Sequence, residues 1–317
     1  MTWSEAGLGD GLIAVRAVHF AATAILVGAL IFRTVVAEPA SAAAPDAAPM
    51  LASQVRRAAW TSFVIAVVTG LGWLLLLTMQ ITGLSLWEAL TQEGLTTVVE
   101  VTQFGQVTVI RLGLAVLLAI SLAGERTWPP LRRLTRVSAL AFGGAIAWTG
   151  HAGSTAGNLG ILHLISDVLH LWAASAWIGG LVLLVPLLKS SARSRTPGWR
   201  KLELNAVNRF SMLGIVAVAA LVLSGAINAW IIVGTWQVLL ATAYGQLLLV
   251  KVAVVVVMVA FAGVNRLWLT PQLASTAAAD PDVSRQLARN SVIEIALGLA
   301  VFAIVGALGL QHPMIHP

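Results

Sequence analysis

The chain has 317 residues, of which 58% are hydrophobic and 10% charged, with a formal net charge of +6 and no cysteine. About a quarter of the residues in an ordinary soluble domain are charged, so this composition excludes a soluble globular enzyme, a disordered chain and a nucleic-acid-binding module. The lack of cysteine excludes disulfides, thiolate metal sites, iron–sulfur clusters and a catalytic cysteine. In so apolar a chain, an excess of basic residues is typical of cytoplasmic loops. We therefore expect a polytopic membrane protein whose partner is the lipid bilayer and which binds no nucleic acid.

Eight apolar runs occur along the chain, each near the ~20 residues that a helix needs to cross the bilayer. The first run follows Glu5 and Asp10 rather than basic residues, and no small-residue cleavage site stands out after it. We interpret it as a retained helix and not as a signal peptide. The predicted fold is all-α, with eight transmembrane helices in a single integral membrane domain over residues 1–317. The runs lie near 12–36, 58–82, 105–123, 134–150, 161–188, 207–233, 246–268 and 289–310.

The loops between these runs alternate in charge. Those after the first, third, fifth and seventh runs are rich in basic residues, as at Arg56 and Arg132. The other three loops, 83–104, 151–160 and 234–245, contain neither Lys nor Arg. Because positively charged loops stay on the cytoplasmic side, both termini and these three loops are predicted to face outward. In a bacterial inner membrane the outer side is the periplasm.

The two halves of the chain resemble each other. Residues 19–28 in the first span have the same His-to-Gly spacing as residues 170–179 in the fifth span. Three further features recur four spans later: Phe104-Gly105-Gln106 as Tyr244-Gly245-Gln246, Arg111 as Lys251 and, more weakly, Thr69-Gly70 as Ser224-Gly225. Since four is an even number of spans, both repeats point the same way across the membrane. We therefore predict two parallel, pseudo-symmetric four-helix repeats, about 1–150 and 151–317, around an axis along the membrane normal.

Ionisable residues inside membrane spans are costly and are functional candidates by default. His19 and His170 lie seven and nine residues into their spans from the outer side, so we expect them at similar depth. His163 and Asp167 have helical spacing with His170 and share one face with it. The same outer half also contains His151, Arg16, Arg111 and Lys251. The simpler alternatives are a histidine that only hydrogen-bonds a neighbouring helix, and cations that extend to the interface.

Further candidate ligands lie near the outer surface. Met79, close to the outer end of the second span, is a soft donor, although a core-filling role is favoured. His312, Met314 and His316 combine imidazole and thioether groups, which suit copper. Because they lie on a short terminal tail, we expect at most a weak accessory site there.

Several short motifs occur in order along the chain. They are Arg16-Ala-Val-His19, Thr102-Gln-Phe-Gly105 with Arg111, Gly150-His151-Ala152, His163-Leu-Ile-Ser-Asp167-Val-Leu-His170 and Trp177-Ile-Gly-Gly-Leu181. In combination these motifs resemble the copper-resistance CopD family of bacterial inner-membrane proteins, over nearly the whole chain. The resemblance implies copper homeostasis, with copper passing from a periplasmic copper carrier toward or across the inner membrane. On this interpretation the copper ligands are His19, His151, His163 and His170, supported by Asp167, Arg16, Arg111 and Lys251.

A second hypothesis is a b-type haem redox protein, since a His-containing first span and a Trp-Ile-Gly-Gly pattern also look like small haem-binding membrane proteins. Paired histidines on pseudo-symmetric helices would supply two axial ligands, and the nearby Arg and Lys would neutralise the haem propionates. A third hypothesis, a structural subunit without its own cofactor, leaves the repeated His, Arg and Lys positions unexplained. The pattern favours a transporter or metal-binding membrane protein over an enzyme.

Overall fold

The structure, a computed structural model, describes residues 3–42, 44–90, 92–194, 197–275 and 281–311. Within these ranges every regular element is helical and no strand occurs, which confirms the predicted fold class. The helices are α1 (Trp3–Phe32), α2 (Glu38–Ser41), α3 (Ala48–Thr82), α4 (Leu86–Ala89), α5 (Gln92–Val101), α6 (Gln103–Gly124), α7 (Leu131–Gly144), α8 (His151–Ser154), α9 (Gly157–Ser194), α10 (Pro197–Val233), α11 (Trp236–Ala241), α12 (Ala243–Val264), α13 (Thr270–Ser275) and α14 (Pro281–Leu308).

Short turns of other helix types extend three of these helices. A π-helical turn, Arg33–Ala37, joins α1 to α2, and another, Asn265–Leu269, joins α12 to α13. A 3-10 turn, Ala145–Thr149, follows α7. Such turns let a long helix bend without losing its backbone hydrogen bonds.

Seven helical stretches in the described ranges are long and apolar enough to cross a membrane. They correspond to the first, second, third, fifth, sixth, seventh and eighth predicted spans. Large apolar side chains on their outer faces are exposed, as expected for a surface that contacts lipid. The stretches are Gly7–Ser41, Ala48–Thr82, Gln103–Gly124, Gly157–Ser191, Gly198–Val233, Ala243–Ser275 and Asp282–Leu308.

The predicted fourth span, 134–150, is the exception. This region forms α7, which has 14 residues, followed by the 3-10 turn. Arginines occupy the first turns of α7, at Arg132, Arg133 and Arg136. At about 1.5 Å per residue, the α-helical part covers only about 21 Å, less than the apolar core of a bilayer. A total of eight spans therefore stays a prediction.

The first and fifth predicted spans, α1 and α9, pack against each other at the centre of the bundle. They cross at two glycines, where a Cβ atom on Gly28 would lie 2.7 Å from the Cα of Gly179 and 2.0 Å from the carbonyl oxygen of Ser175. Only glycine allows the two backbones to approach this closely. These are the two glycines that the predicted repeat pairs. The four-helix repeat as a whole stays a prediction.

The remaining helices surround this central pair. Helix α3 packs against α1, and α10 packs against α9, while α14 contacts both central helices and α12. Helix α6 contacts α3 and α7. Each central helix therefore has a different set of neighbours on the side that faces away from the other central helix. The candidate site residues lie between the central helices and these neighbours.

Candidate functional site

His19 on α1 is buried against α3 and α6, with 1% of its surface exposed. Its Nδ1 is 3.2 Å from the Oγ1 of Thr69, and that hydroxyl donates its own proton to the carbonyl oxygen of Ile65 at 2.6 Å. The hydroxyl therefore accepts from Nδ1–H, which leaves a lone pair on Nε2. Nη1 of Arg111, at 2.7 Å, donates to that lone pair.

Arg111 is held in place by several contacts. Its Nε donates to the carbonyl oxygen of Phe142 at 3.3 Å, and its guanidinium carbon lies 4.5 Å from the centre of the Phe142 ring. Its Nη2 is buried and has no hydrogen-bond partner among the described residues. The cavity beside Arg111 and His19 has a volume of about 20 Å³. It therefore has room for about one water molecule.

His170 lies between α9 and α10 in a closely similar arrangement. Its Nδ1 is 3.0 Å from the Oγ of Ser224, and that hydroxyl donates to the carbonyl oxygen of Ala220 at 2.5 Å. By the same argument, His170 has its proton on Nδ1 and a lone pair on Nε2. None of the described residues hydrogen-bonds this Nε2. The side chain is only partly buried.

An acid and a cation flank His170. Asp167 accepts a hydrogen bond from Nδ2 of Asn228 at 3.1 Å and interacts electrostatically with Lys251 on α12. Lys251 also lies close enough to His170 to interact with it electrostatically. Tyr244, which is buried near Asp167, completes this cluster. His170 thus has an acidic neighbour, whereas His19 is bound directly by an arginine.

The two histidine pockets share further local geometry. A Cβ atom on Gly70 would lie 3.1 Å from Cε1 of His19, and one on Gly225 would lie 3.4 Å from Cε1 of His170. A glycine thus makes room for the ring in each case. Helices α6 and α12 also begin alike, because Thr102 and Thr242 each accept the backbone N–H of a glycine three residues later, both at 3.0 Å.

The structure does not gather the four predicted histidines into one site. Among the described residues, no three His, Asp or Glu side chains form a group that could hold a metal ion. His163 is buried on α9, with its Nδ1 2.9 Å from the Oγ1 of Thr155. His151 is the first residue of α8, but its side chain is not among the parts that the structure describes. The predicted tail residues His312, Met314 and His316 lie outside the described residues altogether.

Two other predicted residues, Arg16 and Met79, make different contacts. Arg16 stacks on the aromatic rings of Trp73, at 5.0 Å, and Phe20, at 5.9 Å. Met79 is half-buried near the C-terminal end of α3, where its carbonyl oxygen accepts the N–H of Gly83.

Below His170, toward the predicted inner side, lies a larger cavity of about 370 Å³ that the sequence did not predict. Its wall is mostly apolar and includes Glu294, which is buried. The Glu294 carboxylate accepts hydrogen bonds from Nε1 of Trp177 at 3.1 Å and from Nδ2 of Asn265 at 2.8 Å. A cavity depends on how side chains from several helices pack, so residue spacing in the sequence does not predict it.

The haem hypothesis finds no support in this geometry. The cavity beside His19 has room for about one water molecule, and Arg111 already donates to Nε2 of that histidine. The larger cavity has no histidine in its lining. The residues present at these two cavities therefore do not fit a haem group.

Comparisons with known proteins agree with the sequence motifs. Residues 7–161 match the family model described as "Copper resistance protein D-like, N-terminal domain", and residues 204–308 match the model described as "Copper resistance protein D". No solved structure matches the chain.

Three curated proteins are similar to this chain. Copper resistance protein D of Pseudomonas syringae pv. tomato is 31% identical over 220 residues, which cover 67% of this chain and 69% of the relative. Inner membrane protein YebZ of Escherichia coli (strain K12) is 30% identical over 234 residues, or 72% of each chain. Copper transport protein CutJ of Bacillus subtilis (strain 168) is 31% identical over 210 residues, which cover 62% of this chain and 35% of the relative.

Proposed function

Because this chain belongs to the copper resistance protein D family, we propose that it binds copper through intramembrane histidines in its outer half. It moves this copper from the periplasm toward or across the inner membrane. Copper is the cargo, so binding must be specific but reversible. The main support for the proposal is the hydrogen bonding of His170. Ser224 accepts its Nδ1–H, while its Nε2 has no hydrogen-bond partner among the described residues.

The donor chemistry supports copper at His170. Imidazole nitrogen is a good copper ligand, and metal-binding histidines typically donate their second ring N–H to an oxygen acceptor, which fixes the tautomer. Asp167, one helical turn away, adds a negative charge that offsets the positive charge of the nearby Lys251. His163 shares this face of α9 two turns further out and is the next ligand that copper would meet.

The other candidate ligands have smaller parts in this proposal. Copper reaches His19 only if Arg111 first leaves its Nε2. His151 would assist at the outer surface. Met79 and the terminal His312, Met314 and His316 would be weak accessory donors, because water or other donors replace them easily. A periplasmic copper carrier delivers the cargo to this outer side.

This account requires the histidine pockets to face the periplasm, with both chain termini on that side. Reporter proteins that work in only one compartment test this orientation when they are fused after Ala44, Ser194 or Pro317. We expect cytoplasmic signals from the first two fusions and a periplasmic signal from the third. A cytoplasmic signal from the fusion at Pro317 would contradict the orientation.

The copper function is tested in bacterial cells that lack their own copy of the protein. Cells that express the wild-type chain are expected to accumulate more copper from the medium than cells with an empty vector. His170→Ala should reduce this difference about tenfold or more, in line with the loss of a metal ligand. Leu169→Ala, at an exposed neighbouring position on α9, is the matched control and should behave as wild type. Equal copper in wild-type and empty-vector cells would refute the proposal.

A further inference from the structure

We infer that the two halves of the chain have different tasks: cargo copper passes only through the second half, by way of His170 and the cavity below it. Arginines close the first half at both ends. This inference rests on the proposed copper function and concerns the route within it. The matching histidines of the two halves differ in one contact. Nε2 of His19 is hydrogen-bonded by Arg111, whereas Nε2 of His170 has no hydrogen-bond partner among the described residues.

The outer end of the first half is closed by Arg111. Its Nη1 donates to Nε2 of His19, so the lone pair that a copper ion would need is already engaged. The backbone oxygen and ring of Phe142 hold the guanidinium in place. Arg111 therefore occupies the position of the cation that His19 would otherwise bind. The remaining space of about 20 Å³ holds a water molecule at most.

The inner end of the first half is closed by a second arginine. Arg33, just after α1, makes a bidentate ion pair with Glu125 at the end of α6, with distances of 2.5 and 3.1 Å. Both side chains are largely buried, at 14% and 11% exposure. The two charges neutralise each other, and the pair links the end of α1 to the end of α6 and fills the space between them at this end of the first half.

In the second half the corresponding cation, Lys251, interacts electrostatically with Asp167 and makes no hydrogen bond to His170. Nε2 of His170 has no partner among the described residues, and Trp177 lies seven residues further along α9, about 10 Å inward on the same face.

Trp177 lines the 370 Å³ cavity, whose walls come only from the helices after α8 and the turn that follows α12. Two charged residues, Glu294 and Arg266, line this mostly apolar space, and Arg266 donates to the Oγ of Ser211 at 2.5 Å. Glu294 offers the negative charge that a copper ion would need there.

The claim that copper binds only in the second half is tested by the number of copper ions bound per purified chain, measured with Cu(I) and a competing chelator. We expect one copper per wild-type chain, one for His19→Ala and none for His170→Ala. Arg111→Met removes the blocking donor and should raise the value to two, and Arg111→Met combined with His19→Ala should return it to one.

The outcomes separate the inference from the proposed function. Two coppers per wild-type chain, with one lost in His19→Ala, would overturn the inference and leave the copper function intact. The comparison of wild type with His19→Ala tests the inference even if Arg111→Met does not fold. A wild-type chain that binds no copper would refute the function itself.

The route through the cavity is tested by filling it. A Cβ atom on Gly263, which lines the cavity, meets nothing within 4 Å, so Gly263→Leu adds bulk without a backbone clash. This variant should still bind one copper, while copper accumulation in cells falls to the level of His170→Ala. The matched control is Gly113→Leu on α6, where a Cβ atom also meets nothing within 4 Å. Equal accumulation in the two variants would overturn the route.

Discussion

Replacing His170 by alanine is expected to abolish high-affinity copper binding, and replacing Ser224 by alanine to weaken it about 10–100-fold. The first change removes the ligand nitrogen. The second removes the hydroxyl that accepts Nδ1–H at 3.0 Å, so the ring loses the contact that fixes its tautomer and orientation. Competition titrations of the purified variants against a Cu(I) chelator measure both dissociation constants.

The first half of the chain provides a matched control for this prediction. Thr69 holds Nδ1 of His19 as Ser224 holds that of His170. If copper binds only at His170, Thr69→Ala should leave the dissociation constant unchanged. An equal loss of affinity in Thr69→Ala and Ser224→Ala would contradict the assignment of the site to His170.

The second large effect is expected at the ion pair between Arg33 and Glu125. Glu125→Ala leaves the charge of Arg33 largely buried without its main partner, because the other nearby acid, Glu38, is 3.7 Å away and half exposed. Loss of one partner from a buried pair typically costs about 3–5 kcal/mol of unfolding free energy. Equilibrium unfolding in mixed detergent micelles, followed by helix content, measures the change.

Two further variants show whether this loss comes from the stranded charge. Replacing both Arg33 and Glu125 by methionine should recover most of the stability, since the buried charge is then absent. Asp282→Ala breaks an exposed pair with Arg285, in which 80% and 67% of the side chains are accessible, and should cause no measurable change. A double variant as unstable as Glu125→Ala would contradict the explanation.

The membrane character and most of the spans could be predicted from the sequence, because about 20 apolar residues in a row have few alternatives to a membrane helix. The matched spacing around His19 and His170 was also visible in the sequence, since histidine is rare in such helices, and the repeat that it indicates stays a prediction. The fourth span was less predictable. Its apolar run follows three arginines, so its α-helical part is short and its crossing depends on contacts with neighbouring helices.

The difference between the two histidine pockets could not be predicted. Arg111 and Lys251 occupy matching positions in the sequence, and both are long cations. Only the packing shows that Arg111 reaches Nε2 of His19 and donates to it. In the same way, the roles of Thr69 and Ser224 as acceptors depend on which carbonyl oxygen each hydroxyl bonds, which no spacing rule reveals.

The central claim, that His170 is the copper ligand within the membrane, is tested most directly by X-ray absorption spectroscopy of the copper-loaded protein. The account predicts the scattering signature of imidazole nitrogen around copper in the wild-type protein and in His19→Ala. That signature should be absent from any copper that remains associated with His170→Ala. Identical spectra for wild type and His170→Ala, at equal copper content, would contradict the account.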